Sequence, residues 1–237
     1  MSHPVIFVSL GPGDPELITV KGLKALEDAD FIFSPSTLLG NDKHSSRSTD
    51  ILLNLGIDQT KIKEFVLTMN KERSDAIGTY QQIANQIKEL HKSGFKIAVT
   101  AEGDTGFYSS VHYIIDNLKD IGIPVKRIAG VPAFIASGSL ANIHIVKQEE
   151  ELNIIPGIIS FESLKEKIEN NKVIVIMKTS QCEEVIKRIM TELHEITIHY
   201  FENVGVKDKE FYTTCVETIL IRKFPYFSLI IIRKNQL

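Results

Sequence analysis

The sequence predicts an α/β protein in which helices cover a mostly parallel sheet. Short apolar segments rich in β-branched residues alternate with amphipathic helical segments along the first half of the chain. Three of these short segments end in loops that contain glycine, directly before a helical segment. The 237 residues are enough for two compact domains, and the apolar fraction of 43% is ordinary for globular proteins.

The elements of the first half follow from hydrophobic spacing and from glycine and proline positions. Helices are predicted from Pro15, from a cap at Ser74 to Gly94, and from Val111 to Gly122, while the polar stretch 40–48 is predicted to be an exposed loop. A short second strand is expected to stop at Pro35. The predicted strands are 5–10, 31–33, 96–100 and 124–129.

The second half contains an apolar strand over 172–177, a helix opened by a capping box of Ser180 and Glu183, and strands over 195–201 and 227–232. The connection 203–217 has no helical period. We therefore expect two α/β domains, residues 1–130 with a mostly parallel sheet and residues 131–237 with a mixed sheet.

Composition excludes several classes of protein. The formal charge of −3 gives no basic footprint for nucleic acid, and no apolar run is long enough to span a membrane. The N-terminus lacks the pattern of a secretory signal, and the distant Cys182 and Cys215 form no metal-binding pair. We expect a cytoplasmic protein without a metal site, in which both cysteines are buried as small apolar residues.

The first loop is Gly11-Pro12-Gly13-Asp14, where open α/β sheets bind ligands. A dinucleotide fingerprint would need glycine where Glu16 stands, and a carboxylate there would repel a pyrophosphate. Asp28 and Asp30 stand near the position of a ribose-binding acid, which keeps an NAD-binding oxidoreductase as a minor alternative. No Gly-Lys-Ser/Thr follows, so a P-loop is excluded. The loop also fits a rigid turn, in which Asp14 caps the helix.

The second loop runs from Ala101 to Gly106, and the third from Ala129 to Phe134. Glycines in both allow a close backbone approach to a ligand, and the acids Glu102 and Asp104 can accept from hydroxyl or ammonium groups. The structural alternatives are helix capping by Asp104 or Thr105, and close packing of a helix on the sheet. Three such loops at one sheet edge indicate a site for a partly apolar ligand without phosphate.

The segments GPGDPELITVKGLKALEDADFIF, EGDTGFYSSVHYI and AGVPAF, in this order, resemble the tetrapyrrole methylases, which use S-adenosylmethionine. The resemblance covers nearly the whole chain. Within the family, the Tyr108-Ser109-Ser110 segment, the segment 150–156 and the segment 175–178 are similar to the subfamily that methylates C20 of precorrin-2 or cobalt-factor II in cobalamin synthesis. Two positions depart from the family pattern: Thr105 replaces a proline, and Pro132 replaces a threonine.

The resemblance implies a cofactor cleft between two α/β domains rather than a Rossmann fold. It implies that Pro12 lines the adenosine side and that Met177 covers the adenine, although Met177 also fits ordinary core packing. It gives a set of cofactor-binding residues, several of them acting through backbone groups: Leu10, Pro12, Glu102, Gly103, Asp104, Phe107, Pro132, Ala133, Met177, Val204 and Gly205.

By the same resemblance, the reaction is an in-line attack of a ring carbon on the sulfonium methyl group, in which positioning supplies much of the catalysis. The expected catalytic residues are Asp104, mainly through cofactor binding, and Tyr108. Asp104 and Glu102 are the nearest acids for the proton that C20 loses, and His112 follows.

Candidates for binding the substrate carboxylates are Lys43, His44, Arg47, Lys71, Arg73, Lys207 and Lys209. The stretch 40–48 is a candidate lid, and family members are commonly homodimers. A methylase of different regiospecificity and a non-catalytic binding module remain alternatives.

Overall fold

A computed structural model describes residues 3–39, 43–67 and 73–235. It divides into two compact units, Met1–Pro132 and Ala133–Leu237. Each unit contains a sheet with its own helices, which confirms the predicted α/β class.

The sheet of the first unit has the strand order β3-β2-β5-β1-β6, with β4 paired to β2. All of these pairs are parallel except β2 with β3, as the alternation of strands and helices predicts. The strands are β1 Val5–Ser9, β2 Phe31–Leu39, β3 Lys43–Ser45, β4 Ile62–Leu67, β5 Ile97–Ala101 and β6 Val125–Ile128. The helices are α1 Val20–Asp28, α2 Arg47–Asn54, α3 Arg73–Lys92 and α4 His112–Asp120.

Strand β1 is buried on both faces because helices cover both sides of the sheet. Val5 and Phe7 pack in one apolar cluster with α3 and α4, whereas Val8 belongs to a second cluster with α1 and α2. Successive side chains of a strand point to opposite faces, so an uninterrupted apolar run serves both layers.

The second strand does not stop at Pro35, as the sequence suggested, but continues to Leu39. Strand β5 pairs only with Phe31–Phe33, and β3 pairs only with Thr37–Leu39. Pro35 lies in the gap between these two pairings, where its missing N–H removes no ladder hydrogen bond. Its carbonyl accepts a hydrogen bond from Ser46 Oγ at 2.6 Å.

The prediction of an exposed loop over 40–48 is wrong where the structure describes that stretch. Residues 43–45 form β3, and α2 begins at Arg47 with Ser46 as its N-cap. Ser46 and Ser48 are buried. Ser46 is polar because it forms hydrogen bonds inside the unit, not because it is solvated: Oγ accepts from Thr49 N at 2.9 Å and donates to the carbonyl of Pro35.

The first predicted helix is divided. A 3₁₀ turn, Pro15–Leu17, is capped by Asp14, whose Oδ1 accepts from Glu16 N at 2.9 Å. Helix α1 then begins at Val20, with Thr19 as its N-cap. The capping alternative for Asp14 is therefore confirmed. The third predicted helix begins at Arg73, and the predicted cap residue Ser74 lies in its first turn, where side chains are outside the described part.

The sheet of the second unit is mixed and has the order β10-β9-β11-β8-β7, in which only the β7–β8 pair is parallel. Helices α6, α7 and α8 cover one face with a single apolar cluster. The strands are β7 Leu152–Ile155, β8 Val173–Met177, β9 Ile196–Glu202, β10 Phe211–Thr213 and β11 Ser228–Lys234. The helices are α5 Ala133–Leu140, α6 Phe161–Glu169, α7 Glu183–Glu192 and α8 Val216–Ile221.

Three predictions for the second half need correction. Helix α7 begins at Glu183 after a 3₁₀ turn, with Cys182 at its N-cap position and no side-chain cap, so the Ser180–Glu183 capping box is wrong. The connection 203–217 contains strand β10 and the start of α8. Cys215 is exposed, unlike Cys182, whose burial raises the thiol pKa to about 11. Within the described residues, no helix is long and apolar enough to cross a membrane.

Candidate functional site

The three predicted loops meet at one edge of the first sheet. Strand β1 lies between β5 and β6, all three parallel, so the loops that follow them leave from the same edge. Gly11 and Gly103 exchange backbone hydrogen bonds of 3.2 and 2.7 Å between the first and second loops. Both glycines have positive φ, 80° and 66°, which glycine adopts without steric cost. The predicted convergence of the loops is confirmed.

Ser9, at the end of β1, fastens the second and third loops to the first strand. Its side chain is fully buried; Oγ donates to the carbonyl of Ile128 at 2.7 Å and accepts from Thr105 N at 2.9 Å. The sequence analysis missed this residue. The available signal was a hydroxyl at the end of an otherwise apolar strand, because a buried polar group requires partners.

Asp104 connects the second loop to the third. Its Oδ1 accepts from Gly106 N at 2.7 Å, and its Oδ2 accepts from Gly130 N at 2.8 Å. Neither Asp104 nor Thr105 caps α4, which begins only at His112, so the capping alternative for this loop is wrong. The carboxylate instead fixes the backbone of the third loop.

Gly130 is required by close packing in the third loop. A Cβ atom on Gly130 would lie 2.4 Å from Ser9 Cβ and 2.7 Å from the carbonyl oxygen of Gly103. The second loop, the third loop and the end of β1 therefore touch at this position, and any side chain would push them apart.

Glu102 differs from Asp104 in its surroundings. Its side chain is 28% exposed, and Oε2 lies 3.9 Å from Nε of Arg47, whose own side chain is 16% exposed. Burial raises the pKa of Glu102, the positive charge of Arg47 partly opposes this, and Asp50 adds to it. Helix α2, anchored by Ser46, thus places a cation beside the second loop.

Tyr108 has a strained backbone and an exposed ring. Its φ of 50° lies in the left-handed region that bulky residues avoid, and its side chain is 51% exposed. The ring packs edge-on against Phe107 with 4.7 Å between centroids. His112 is exposed, and its Nδ1 donates to the carbonyl of Ser109 at 2.9 Å. Strain of this kind often accompanies functional sites.

Other predicted residues of the first unit occupy less open positions. Leu10 is fully buried in the core beside α1 and α2, so only its backbone is available to a ligand. Pro12 is buried in the first loop, and Pro132 is half-buried in the third. Asp28 binds Lys96 Nζ at 2.7 Å and Asp30 accepts from Lys96 N at 2.7 Å. Both acids precede β2, at the edge opposite the three loops, where they cannot act as the ribose acid of a dinucleotide site.

The second unit contains the remaining predicted residues. Ala133 begins α5. Met177 ends β8 on the face away from the helices, because Ile174 and Ile176 point into the apolar cluster. Val204 is buried, and Gly205 N donates to Glu210 Oε1 at 2.7 Å. Only the carbonyl of Gly205 is thus open to a new partner.

The predicted cations fall into two groups. Arg47 lies beside Glu102, whereas Lys207 and Lys209 are exposed in the turn after β9. Lys71 and the side chains of Lys43, His44 and Arg73 lie outside the described part of the structure. In the described ranges, no group of three or more His, Cys, Asp or Glu side chains is placed to hold a metal ion.

A family model described as "Tetrapyrrole (Corrin/Porphyrin) Methylases" matches residues 4–220. The chain is 27% identical over 228 residues to a probable cobalt-precorrin-2 C(20)-methyltransferase of Methanocaldococcus jannaschii, covering 96% of this chain and 94% of that protein. It is 28% identical over 235 residues to a precorrin-2 C(20)-methyltransferase of Sinorhizobium sp., with coverage of 96% and 94%. A cobalt-precorrin-4 C(11)-methyltransferase of M. jannaschii is 28% identical over 158 residues, covering 65% of this chain and 52% of that protein.

Solved structures with the same fold include a cobalt precorrin-4 methyltransferase, with a TM-score of 0.70, 18% identity and coverage of 97% and 94%. Another is the uroporphyrin-III C-methyltransferase of Thermus thermophilus complexed with S-adenosylhomocysteine, with a TM-score of 0.64, 15% identity and coverage of 98% and 97%. The chain belongs to the tetrapyrrole methylase family and is a methyltransferase. Its fold is that of this family, not a Rossmann fold.

Proposed function

We propose that this protein is an S-adenosylmethionine-dependent C-methyltransferase of cobalamin biosynthesis that methylates C20 of precorrin-2 or cobalt-factor II, giving precorrin-3A or cobalt-factor III. The observation that carries the proposal is the junction of the three loops at Gly11, Gly103 and Gly130. The names of two relatives that match almost the whole chain support the C20 position. Other relatives are named for methylation of a different carbon, such as the C(11)-methyltransferase. The second candidate function is therefore a tetrapyrrole methyltransferase that acts at a carbon other than C20.

The residues of the junction fit S-adenosylmethionine better than a nucleotide with phosphates. Glycines keep the backbone close to any bound molecule, and Glu102 and Asp104 offer carboxylate oxygens to ammonium and hydroxyl groups. The cofactor-binding set proposed from the sequence is retained, with Leu10 and Gly205 acting through their backbones. Met177, at a strand end away from the helical core, is retained for contact with adenine.

The bound cofactor supplies a methyl group on a positively charged sulfur, which is already a good leaving group. The protein's task is therefore mainly to hold the ring carbon and the methyl carbon in line, which can contribute about 7–11 kcal/mol. We propose that Asp104 fixes the binding loops and that Tyr108, held exposed in its strained conformation, contacts the tetrapyrrole. Arg47 and the exposed Lys207 and Lys209 are candidates to bind its carboxylates.

Calorimetric titration tests the class of activity. We expect the purified protein to bind S-adenosylhomocysteine and not NAD. Asp104→Ala should weaken binding of S-adenosylhomocysteine sharply, because it removes one hydrogen bond within the second loop, to Gly106, and the one that fixes the third loop, to Gly130. Asp116→Ala, on α4, is a matched control that should bind normally. Binding of NAD alone would contradict the methylase assignment, and unchanged affinity in Asp104→Ala would contradict the role of Asp104.

We also propose a homodimer in the cytoplasm, by similarity to the family. Sedimentation equilibrium of the purified protein tests the dimer, since a dimer has twice the 26.6 kDa mass of the chain. Fractionation of cells tests the location.

A further inference from the structure

The second loop contains two carboxyl groups with different hydrogen-bonding partners. Both oxygens of Asp104 accept backbone N–H groups, at 2.7 and 2.8 Å. These two hydrogen bonds hold the carboxyl group in place, so Asp104 is suited to a fixed structural role. A general base must instead gain and lose a proton and must reach the reacting atom.

Glu102 has the surroundings that a general base requires. It directly follows β5, at the edge where the three loops meet, and its side chain remains partly exposed. Its charged neighbour on α2 is Arg47, at 3.9 Å, a distance too long for a hydrogen bond. The second charge of α2 that acts on it is Asp50. Its partial burial also favours taking up a proton.

We propose that Glu102, at the edge where the three loops meet and with Arg47 of α2 beside it, accepts the proton released by the methylated ring carbon. This inference rests on the proposed function. The ring carbon forms a bond to the methyl carbon. At the same time the bond between the methyl carbon and sulfur breaks, and its electron pair stays on sulfur. Glu102 then takes the proton of the same ring carbon, and the C–H electron pair returns to the conjugated ring. The proton later passes to water.

The two charges on α2 act on Glu102 with opposite sign. Arg47 lowers the pKa of Glu102 and Asp50 raises it. Glu102 must be ionised to accept a proton, so the rate rises as pH passes upward through this pKa. Arg47→Gln should therefore move the acid limb of the pH–rate profile to higher pH, and Asp50→Asn should move it to lower pH. If Glu102 only packed against its neighbours, these two substitutions would not shift the pH–rate profile in opposite directions.

The main test is single-turnover methyl transfer by Glu102→Gln, with Glu16→Gln as the matched control. Glu16 is exposed and follows the first loop. At a saturating concentration of S-adenosylmethionine, which compensates for any loss of cofactor affinity, we expect Glu102→Gln to transfer the methyl group about 10²–10⁴-fold more slowly than the wild type. The control should retain the wild-type rate. A normal rate in Glu102→Gln would overturn the proposal while leaving the proposed function intact.

The pH profiles decide the matter if Glu102→Gln does not fold. Opposite shifts in Arg47→Gln and Asp50→Asn support the proposal, whereas shifts in one direction or no shifts overturn it. Failure of the wild-type protein to bind S-adenosylhomocysteine at all would overturn the proposed function and this inference with it.

Discussion

At the scale of single residues, the loop 101–106 holds two acids, Glu102 and Asp104, in different surroundings although they stand only two positions apart. The sequence identified both acids but gave no means to separate them, because the difference lies in their tertiary partners. Gly130 of the third loop binds Asp104, whereas Arg47 of α2 lies beside Glu102. Environment, rather than residue type, distinguishes the two carboxyl groups, as in other paired-carboxylate sites.

Glu102→Gln is expected to stabilise the protein at neutral pH. Burial raises the pKa of Glu102, so the folded state binds its proton more tightly than the unfolded state does. Stability is then highest below the unfolded pKa and falls as pH rises through the folded pKa. The neutral amide avoids this loss, by about 1 kcal/mol, or roughly 2–4 °C in the melting temperature for a protein of this size.

Thermal unfolding at pH 4 and at pH 7.5 measures this effect. Wild type and Glu102→Gln should melt at similar temperatures at pH 4 and diverge at pH 7.5. A variant that is less stable at both values would show that the carboxylate is a net stabilising group, contrary to this account.

Gly130→Ala should destabilise the first unit and weaken cofactor binding. The added methyl group would lie only 2.4 Å from Ser9 Cβ and would overlap it. Neither the end of β1 nor the backbone of the second loop can move away without a loss of stability. We expect a loss of about 1–3 kcal/mol in the free energy of unfolding. Gly78→Ala in α3 is the matched control, because a Cβ there meets no atom within 4 Å. That change should stabilise by about 0.5–1 kcal/mol.

Urea unfolding and calorimetry with S-adenosylhomocysteine give the two readouts. Equal effects of the two alanine substitutions would refute the packing argument for Gly130.

At the scale of elements, the alternation of apolar strands and amphipathic helices was sufficient to predict the α/β class and the convergence of the loops. The errors have specific causes. Pro35 looked like a strand end, since the sequence does not show that its nitrogen faces a gap between β5 and β3. The serines at the start of α2 looked solvated, although Ser46 and Ser48 are buried. Both errors arise where tertiary contacts override a local preference.

Ser46→Ala should weaken α2 and thereby the placement of Arg47. The change removes the N-cap bond to Thr49 N and the bond to the carbonyl of Pro35, at a cost of about 1–2 kcal/mol. Ser160→Ala removes the N-cap of α6 in the second unit and is the matched control, with a cost of about 1 kcal/mol.

Of the two variants, Ser46→Ala alone should also slow methyl transfer, because its helix α2 places the charge of Arg47 beside Glu102. Denaturation and methyl-transfer assays on both variants check this. A similar loss of activity in Ser160→Ala would argue against a special role for α2.

At the scale of the whole molecule, the family match over residues 4–220 and the shared fold make the protein a tetrapyrrole methylase. The order of the three motifs made this family recognisable from the sequence, since each motif alone is compatible with a simple turn. The carbon that is methylated is a finer property, because members acting at C20 and C11 share the same motifs and fold. Under the proposed function, it depends on how the tetrapyrrole is oriented relative to the cofactor, and Tyr108 and Arg47 are the side chains proposed to contact the tetrapyrrole.

Methylation of precorrin-2 and of cobalt-factor II with a ¹³C-labelled methyl donor, followed by NMR location of the label, tests whether the protein is a C20-methyltransferase. We expect one new methyl group on C20 of one or both substrates, with S-adenosylhomocysteine released in equal amount. A label on any other carbon, or no transfer to either substrate by a protein that binds S-adenosylhomocysteine, would contradict it.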